Sequence, residues 1–180
     1  LLAIAELLTS VVAVRRAIAQ ASDGPFPSLH AVLEGCQSFE REISQIVEKI
    51  DPVDGVLDDA SKQLKGIRDR LRRQRDRLRG TLNSYLRNKK TSQYLQEQVI
   101  TERNGRYVLV LRTEHKHSIP GIVHASSGSG ASLFLEPLST VDINNEIVAI
   151  EQTEQFEIQR ILLELANNLR KRAIDLRVTL

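Results

Sequence analysis

Val99-Ile100-Thr101-Glu102-Arg103-Asn104-Gly105-Arg106-Tyr107-Val108-Leu109-Val110-Leu111 reads as two β-rich runs split by Asn-Gly. Both central residues of a two-residue hairpin turn need positive φ, which asparagine and glycine tolerate, so this is a strong short-range hairpin signal. A second pair follows, Gly121-Ile122-Val123-His124 and Ser132-Leu133-Phe134-Leu135, joined by Ser126-Ser127-Gly128-Ser129-Gly130 and closed by Glu136-Pro137. The stretch between Gln98 and Pro137 is therefore predicted to form a small antiparallel sheet of about four strands.

On both sides of this stretch the period is helical. Leu1 to Gln20 is apolar but interrupted by Glu6, Arg15 and Arg16, which fits a buried helix and not a membrane span. Ser22-Asp23-Gly24-Pro25 should end it. A second helix is predicted from about Pro27 to Lys49, with Leu29, Val32, Leu33, Phe39, Ile43, Ile46 and Ile50 on one face, followed by a loop at Asp51-Pro52-Val53-Asp54-Gly55. Asp58, with Leu57 beside it, is the expected cap of a third helix running to about Leu95, roughly 50 Å long. Leu64, Ile67, Leu71, Leu78, Leu82 and Tyr85 give that helix a narrow apolar seam interrupted by Gln74, with Gly66 and Gly80 as weak points. From Val141 a helical pattern (Ile143, Ile147, Ile150, Ile158, Ile161, Leu165, Leu169) is expected to persist to the end. The fold class is mostly α with a small antiparallel β insertion, a long antiparallel helix pair carrying a β tip.

The 180 residues are 41% hydrophobic, 27% charged and 4% aromatic, the composition of an ordinary folded domain and not of a disordered tail. The single cysteine, Cys36, excludes an internal disulfide framework and points to a reducing, cytoplasmic setting. The chain has no methionine, and Leu1 already lies in an apolar helical pattern, so a piece of a longer protein is expected.

The net charge of +2 conceals segregation. Residues 61–90 hold twelve Lys/Arg against Asp69 and Asp76, which is +10, leaving −8 for the rest. The returning helix carries Asp142, Glu146, Glu151, Glu154, Glu157 and Glu164 against Arg160. Two readings follow: a basic ridge for a phosphate backbone, or a basic helix paired with its acidic neighbour. Within the basic segment Tyr85 is the sole aromatic and lies on the seam, so single-strand binding by base stacking is disfavoured and a duplex or branched partner held by its backbone fits better.

Signals for chemistry are weak. No Gly-Lys dipeptide occurs, so the chain carries no P-loop, and Ser127-Gly128-Ser129-Gly130 joins two strands without opening a helix. His115 and His117 flank Lys116, but His30 and Cys36 lie far off in sequence, which favours a surface pair over a metal site. Glu102, Glu114 and Glu136 are scattered carboxylates without a histidine or serine partner at a recognisable spacing. No catalytic residue, metal site or cofactor is expected in this chain.

Tyr94-Leu95-Gln96, Arg103-Asn104-Gly105-Arg106-Tyr107-Val108, Pro120-Gly121-Ile122-Val123-His124 and Ser127-Gly128-Ser129-Gly130-Ala131-Ser132-Leu133-Phe134-Leu135-Glu136-Pro137 resemble the bacterial MutS-two family. Asn144-Asn145 and Asp54-Gly55-Val56-Leu57-Asp58-Asp59-Ala60-Ser61 extend the resemblance over about residues 48–165; Ala125-Ser126 and Ser132 depart from its usual residues. The resemblance implies a helical core at 1–57, an ascending lever helix at 58–96, a β clamp subdomain at 97–139 and a descending lever helix at 140–180. It further implies a homodimer that closes its clamps around branched or duplex DNA, an ATPase using ATP and Mg, and an Smr endonuclease, both outside this chain. Members of the family are linked to suppression of homologous recombination, and some to stalled ribosomes, so a ribosome- or RNA-gripping or protein-interaction arm acting on stalled ribosomes is the alternative reading. If the clamp grips phosphate, Arg103, Arg106, Arg112, Lys116 and Ser129 are the expected contacts, supported by Arg68, Arg72, Arg75 and Arg79. The alternative role of Arg103 and Arg106 is cross-strand pairing with Glu102.

Overall fold

The computed structural model describes residues 1–20 and 35–179. In chain order the elements are α1 (Leu2–Gln20), α2 (Glu40–Val47), β1 (Ile50–Asp51), β2 (Gly55–Val56), α3 (Lys62–Arg87), β3 (Leu95–Arg103), β4 (Arg106–Arg112), β5 (Gly121–Ser126), β6 (Ser132–Pro137), α4 (Leu138–Arg170) and α5 (Ala173–Thr179). The chain divides into two compact units, one of Leu1–Lys65 with Phe156–Leu180 and one of Gly66–Gln155. Mostly helical with a small four-stranded antiparallel sheet and a two-stranded ribbon, it has the predicted fold class. Among the described residues no helix is long and apolar enough to cross a membrane.

The first unit is built around Ala5, Leu8, Phe39, Ile46, Ile50, Val56, Ala60, Leu64, Ile161, Leu165 and Leu169. The expected stop of the first helix at Ser22–Pro25, and the N-terminal part of the second helix, lie outside the described residues. What is described of the second helix is shorter than the 27–49 reading: residues 36–39 are not helical and α2 begins at Glu40. Tertiary partners claim that backbone. The Cys36 carbonyl accepts from Arg15, the Gln37 N–H donates to Thr179 Oγ1, and the Ser38 carbonyl accepts from Arg172. The Arg172 guanidinium lies 4.1 Å from the Phe39 ring centroid, holding that ring in the core.

The loop at 51–55 joins β1 to β2 in a short ribbon. Asp51 Oδ1 accepts the N–H groups of Val53 and Asp54, and Gly55 takes φ +75°. Asp58 does not cap α3. It opens a 3₁₀ turn, Asp58–Ala60, and Ser61 takes the cap: its Oγ accepts the Leu64 N–H at 2.9 Å and donates to Glu157 at 2.6 Å.

In the second unit α3 ends at Arg87, short of the expected Leu95. Asn88 turns extended and its Oδ1 accepts the Lys90 N–H, starting a separate one-turn helix, Lys89–Ser92. β3 then begins at once, four residues ahead of the expected strand. Two register shifts, at Leu95/Glu97 and Glu97/Ile100, let it pair with β4 although its pattern there does not alternate. The Asn104-Gly105 turn forms as expected, with φ of 52° and 72°.

The four strands pair antiparallel in the order β3-β4-β6-β5. Leu109 and Leu111 of β4 and Leu133 and Leu135 of β6 share a core with Leu71, Leu78, Leu82, Ile143, Ile147 and Ile150 from α3 and α4. β6 runs into α4 without a loop, so the helix starts at Leu138 and not Val141; the Pro137 carbonyl accepts from Thr140 Oγ1 at 2.8 Å. The helix expected to reach the chain end breaks after Arg170 and resumes as α5.

Candidate nucleic-acid interface

Within the second unit α3 and α4 run antiparallel, because contacts descend one helix as they ascend the other: Tyr85 with Ser139, Arg75 with Glu151 and Arg68 with Glu154. This antiparallel pairing decides much of the fate of the basic ridge. Arg68 bonds Glu154 at 2.7 Å with both side chains largely buried, Arg75 bonds Glu151 at 2.7 Å, and Arg70 bonds Glu146. Arg72 pairs locally with Asp69 at 2.6 Å. Of the expected supporting arginines, Arg68, Arg72 and Arg75 thus hold acid partners inside the protein. Arg79 is exposed and carries no ion pair among the described residues, as do Arg73, Arg77, Arg87, Lys89 and Lys90. The pairing reading holds on the side towards α4, and the outward side is an open cationic stripe. Gln74, the residue that interrupts the seam, buries its Oε1 without a hydrogen-bond partner among the described residues.

The sheet sorts its own cations in the same way. Arg106 is turned inward, with its side chain only 17% exposed and its Nε 3.3 Å from a carboxylate oxygen of Glu136. Its Nη2 donates to Asn145 at 2.7 Å. Arg106 thus spends its guanidinium on Glu136 and Asn145. Glu136 is fully buried, and it is not the unpartnered carboxylate that its sequence context suggests. Its Oε2 lies 2.6 Å from His124 Nε2, and its Oε1 accepts from Asn144 Nδ2 at 2.7 Å. Asn144 also bonds the backbone N–H and carbonyl of Tyr107. One carboxylate thus ties β4, β5, β6 and α4 together, bracing the sheet against the helix.

Turn symmetry alone does not give the His124–Glu136 contact. Hairpin partners sit at equal distances from the turn, which places Ile122 opposite Glu136. A register shift between Val123 and Ala125 then swings His124 into reach.

Arg103 has a different outcome from Arg106, although the two residues pair across the turn. It is exposed, donates to the Glu102 carbonyl oxygen at 3.2 Å, and makes no ion pair with the Glu102 carboxylate. Its guanidinium carbon lies 4.3 Å from the Phe134 ring centroid. Phe134 lies in the sheet, outside the basic segment where the aromatic reading was made, and so was missed.

Arg112, Lys116 and Ser129 are exposed at one end of the sheet. The Arg112 N–H donates to the Tyr94 carbonyl, and Thr113 bonds the Gly130 and Ala131 carbonyls, which draws the 88–94, 112–118 and 127–131 segments together. His115 packs against Tyr94 with ring centroids 4.8 Å apart and the planes tilted by 44°. Among the described residues no cluster of three or more His, Cys, Asp or Glu could hold a metal ion.

These features define a class: a mostly helical protein whose antiparallel helix pair carries an inserted, cation-edged sheet. Comparison with known proteins gives the family. The Endonuclease MutS2 of Alkaliphilus metalliredigens is 36% identical over 151 residues, which cover 84% of this chain and 19% of that protein. The Endonuclease MutS2 of Clostridium tetani is 44% identical over 142 residues, 79% of this chain and 18% of that protein. That of Listeria innocua is 48% identical over 124 residues, 69% of this chain and 16% of that protein. The chain belongs to the MutS2 family, and it spans less than a fifth of the length of these relatives. No protein-family model matches it.

Proposed function

We propose that this chain is the core, lever and clamp region of a MutS-like DNA-binding ATPase, gripping branched or duplex DNA through its backbone in the service of recombination suppression. In this reading α3 and α4 are the levers, the β3–β6 sheet is the clamp, and a homodimer of the whole cytoplasmic protein closes two clamps around the nucleic acid. The fragment itself does no chemistry. ATP and Mg belong to the remainder of the protein, since no Gly-Lys dipeptide occurs in this chain to cradle a nucleotide phosphate.

The observation that carries the reading is the set of exposed cations left over after internal pairing: Arg112 and Lys116 at the end of the sheet and Arg73, Arg77, Arg79 and Arg87 along α3. Fixed positive charge of this kind binds phosphate by releasing counterions, with a strong dependence on salt and little on sequence.

The test is a titration of the chain with a four-way junction and with a matched duplex across a salt series. The logarithm of affinity should fall linearly with the logarithm of salt. Arg112→Ala with Lys116→Ala should weaken binding to both DNAs and flatten the slope by about 2. Arg106→Ala should leave the slope unchanged and instead lower the unfolding midpoint, because it strips an ion pair from buried Glu136. Salt-independent binding, or none, rejects the proposal. A preference of the full-length protein for ribosomes over branched DNA in direct competition would favour the ribosome-gripping arm instead.

A further inference from the structure

The sheet carries a preformed stacking surface. Phe134 in β6 pairs with Val110 of β4 on one side and Ala125 of β5 on the other. The registers place Val108, Val110, Phe134 and Arg103 on one face of the sheet, with both valines buried and Arg103 exposed. Arg103 lays its guanidinium against the Phe134 ring at 4.3 Å. The cation thus sits over an aromatic ring. Arg103 is otherwise open to solvent, and among the described residues its one side-chain hydrogen bond is to the Glu102 carbonyl. Arg112 and Ser132, paired across β4 and β6, lie further along the same face.

We propose that Arg103, backed by Phe134, is a platform on which an unpaired base of the bound DNA stacks, while Arg112 holds the adjoining phosphate. The inference rests on the DNA-clamping reading and narrows its substrate: branched or gapped DNA is preferred because it offers bases out of the helix. An arginine plane accepts a nucleobase as an aromatic ring does, and the charge adds attraction to the backbone beside it. A lysine at the same place keeps the charge and loses the plane.

The experiment compares a duplex with a short single-stranded gap holding 2-aminopurine against the same duplex fully paired. Wild-type chain should quench the gap fluorophore on binding and prefer the gapped DNA. Arg103→Lys should lose about tenfold in affinity for the gapped DNA, together with the quenching, and change affinity for the paired duplex by less than twofold. Phe134→Leu, with folding checked by circular dichroism, should cause the same selective loss. Equal weakening on both DNAs would show that Arg103 acts as a point charge and overturns the platform while leaving the clamping reading intact. Salt-dependent binding without quenching or preference does the same. Failure of the wild-type chain to bind either DNA overturns both.

Discussion

Glu157 shows how much one carboxylate can be made to do when the chain encloses it. It lies in α4 with its side chain 2% exposed. Arg160 grips it with two donors, Nε to Oε2 and Nη2 to Oε1, each at 2.8 Å, and Ser61 Oγ donates to Oε1 at 2.6 Å. The Arg160 hydrogen bonds, helped by Ser61, hold its carboxyl down at about 2, against an ordinary value of 4.5. A carboxyl whose folded value lies below its unfolded one stabilises the fold fully above the unfolded value. That contribution is lost as pH falls from about 4.5 through about 2. The thermal midpoint of the wild-type chain should therefore drop across this window, and Glu157→Gln should flatten the drop while lowering the midpoint near neutrality. The variant also separates Glu157 from Asp51, which the N–H groups of Asp54 and Val53 hold low in an exposed turn. Parallel curves for the two proteins would remove Glu157 from the acid response.

At the scale of elements, two glycines make opposite predictions. Gly80 sits in the interior of α3 with open space where a Cβ would stand, so Gly80→Ala should stabilise the chain by about 0.5–1 kcal/mol through helix propensity. Gly121 opens β5, and a Cβ there would stand 2.4 Å from the Glu136 carbonyl oxygen. Gly121→Ala should cost about 1–3 kcal/mol, since backbone must move to admit it, and urea denaturation of the two variants should give shifts of opposite sign. These elements also show what sequence could and could not reveal. The Asn104-Gly105 hairpin was legible because its turn chemistry is local. The α3 cap was misplaced because Ser61 and Asp58 are both good cap residues, and Glu157, 96 positions away, sides with Ser61. Arg103 and Arg106 look alike in sequence, flanking one turn. Only the pairing order β3-β4-β6-β5 brings Glu136 to Arg106 and Phe134 to Arg103. Non-local pairing of this kind lies beyond periodicity and composition.

At the scale of the molecule, the +10 ridge is reduced by its own surroundings. The unit spanning Gly66–Gln155 holds fourteen Lys/Arg against ten Asp/Glu, a net +4, and the remainder of the chain is −2. The positive unit is also the one with a self-sufficient core. Its twelve clustered buried residues come from α3, the four-stranded sheet with its connections, and α4, and none lies outside Gly66–Gln155. The other unit is assembled from two separate stretches of chain around a different cluster. A contiguous segment of this size with its own core should fold alone, although the cut removes the first four residues of α3 and the last fifteen of α4. Residues 66–155 produced as an isolated segment should give a cooperative urea transition, dispersed amide resonances and the mixed helix–strand circular dichroism expected of α3, the sheet and the start of α4. The segment should retain the salt-dependent DNA binding of the whole chain, because Arg112, Lys116 and the outward stripe of α3 from Arg73 to Arg87 all travel with it. Collapsed resonances would show that its core depends on the rest of the chain. A folded segment that ignores DNA would move the contacts to the other unit.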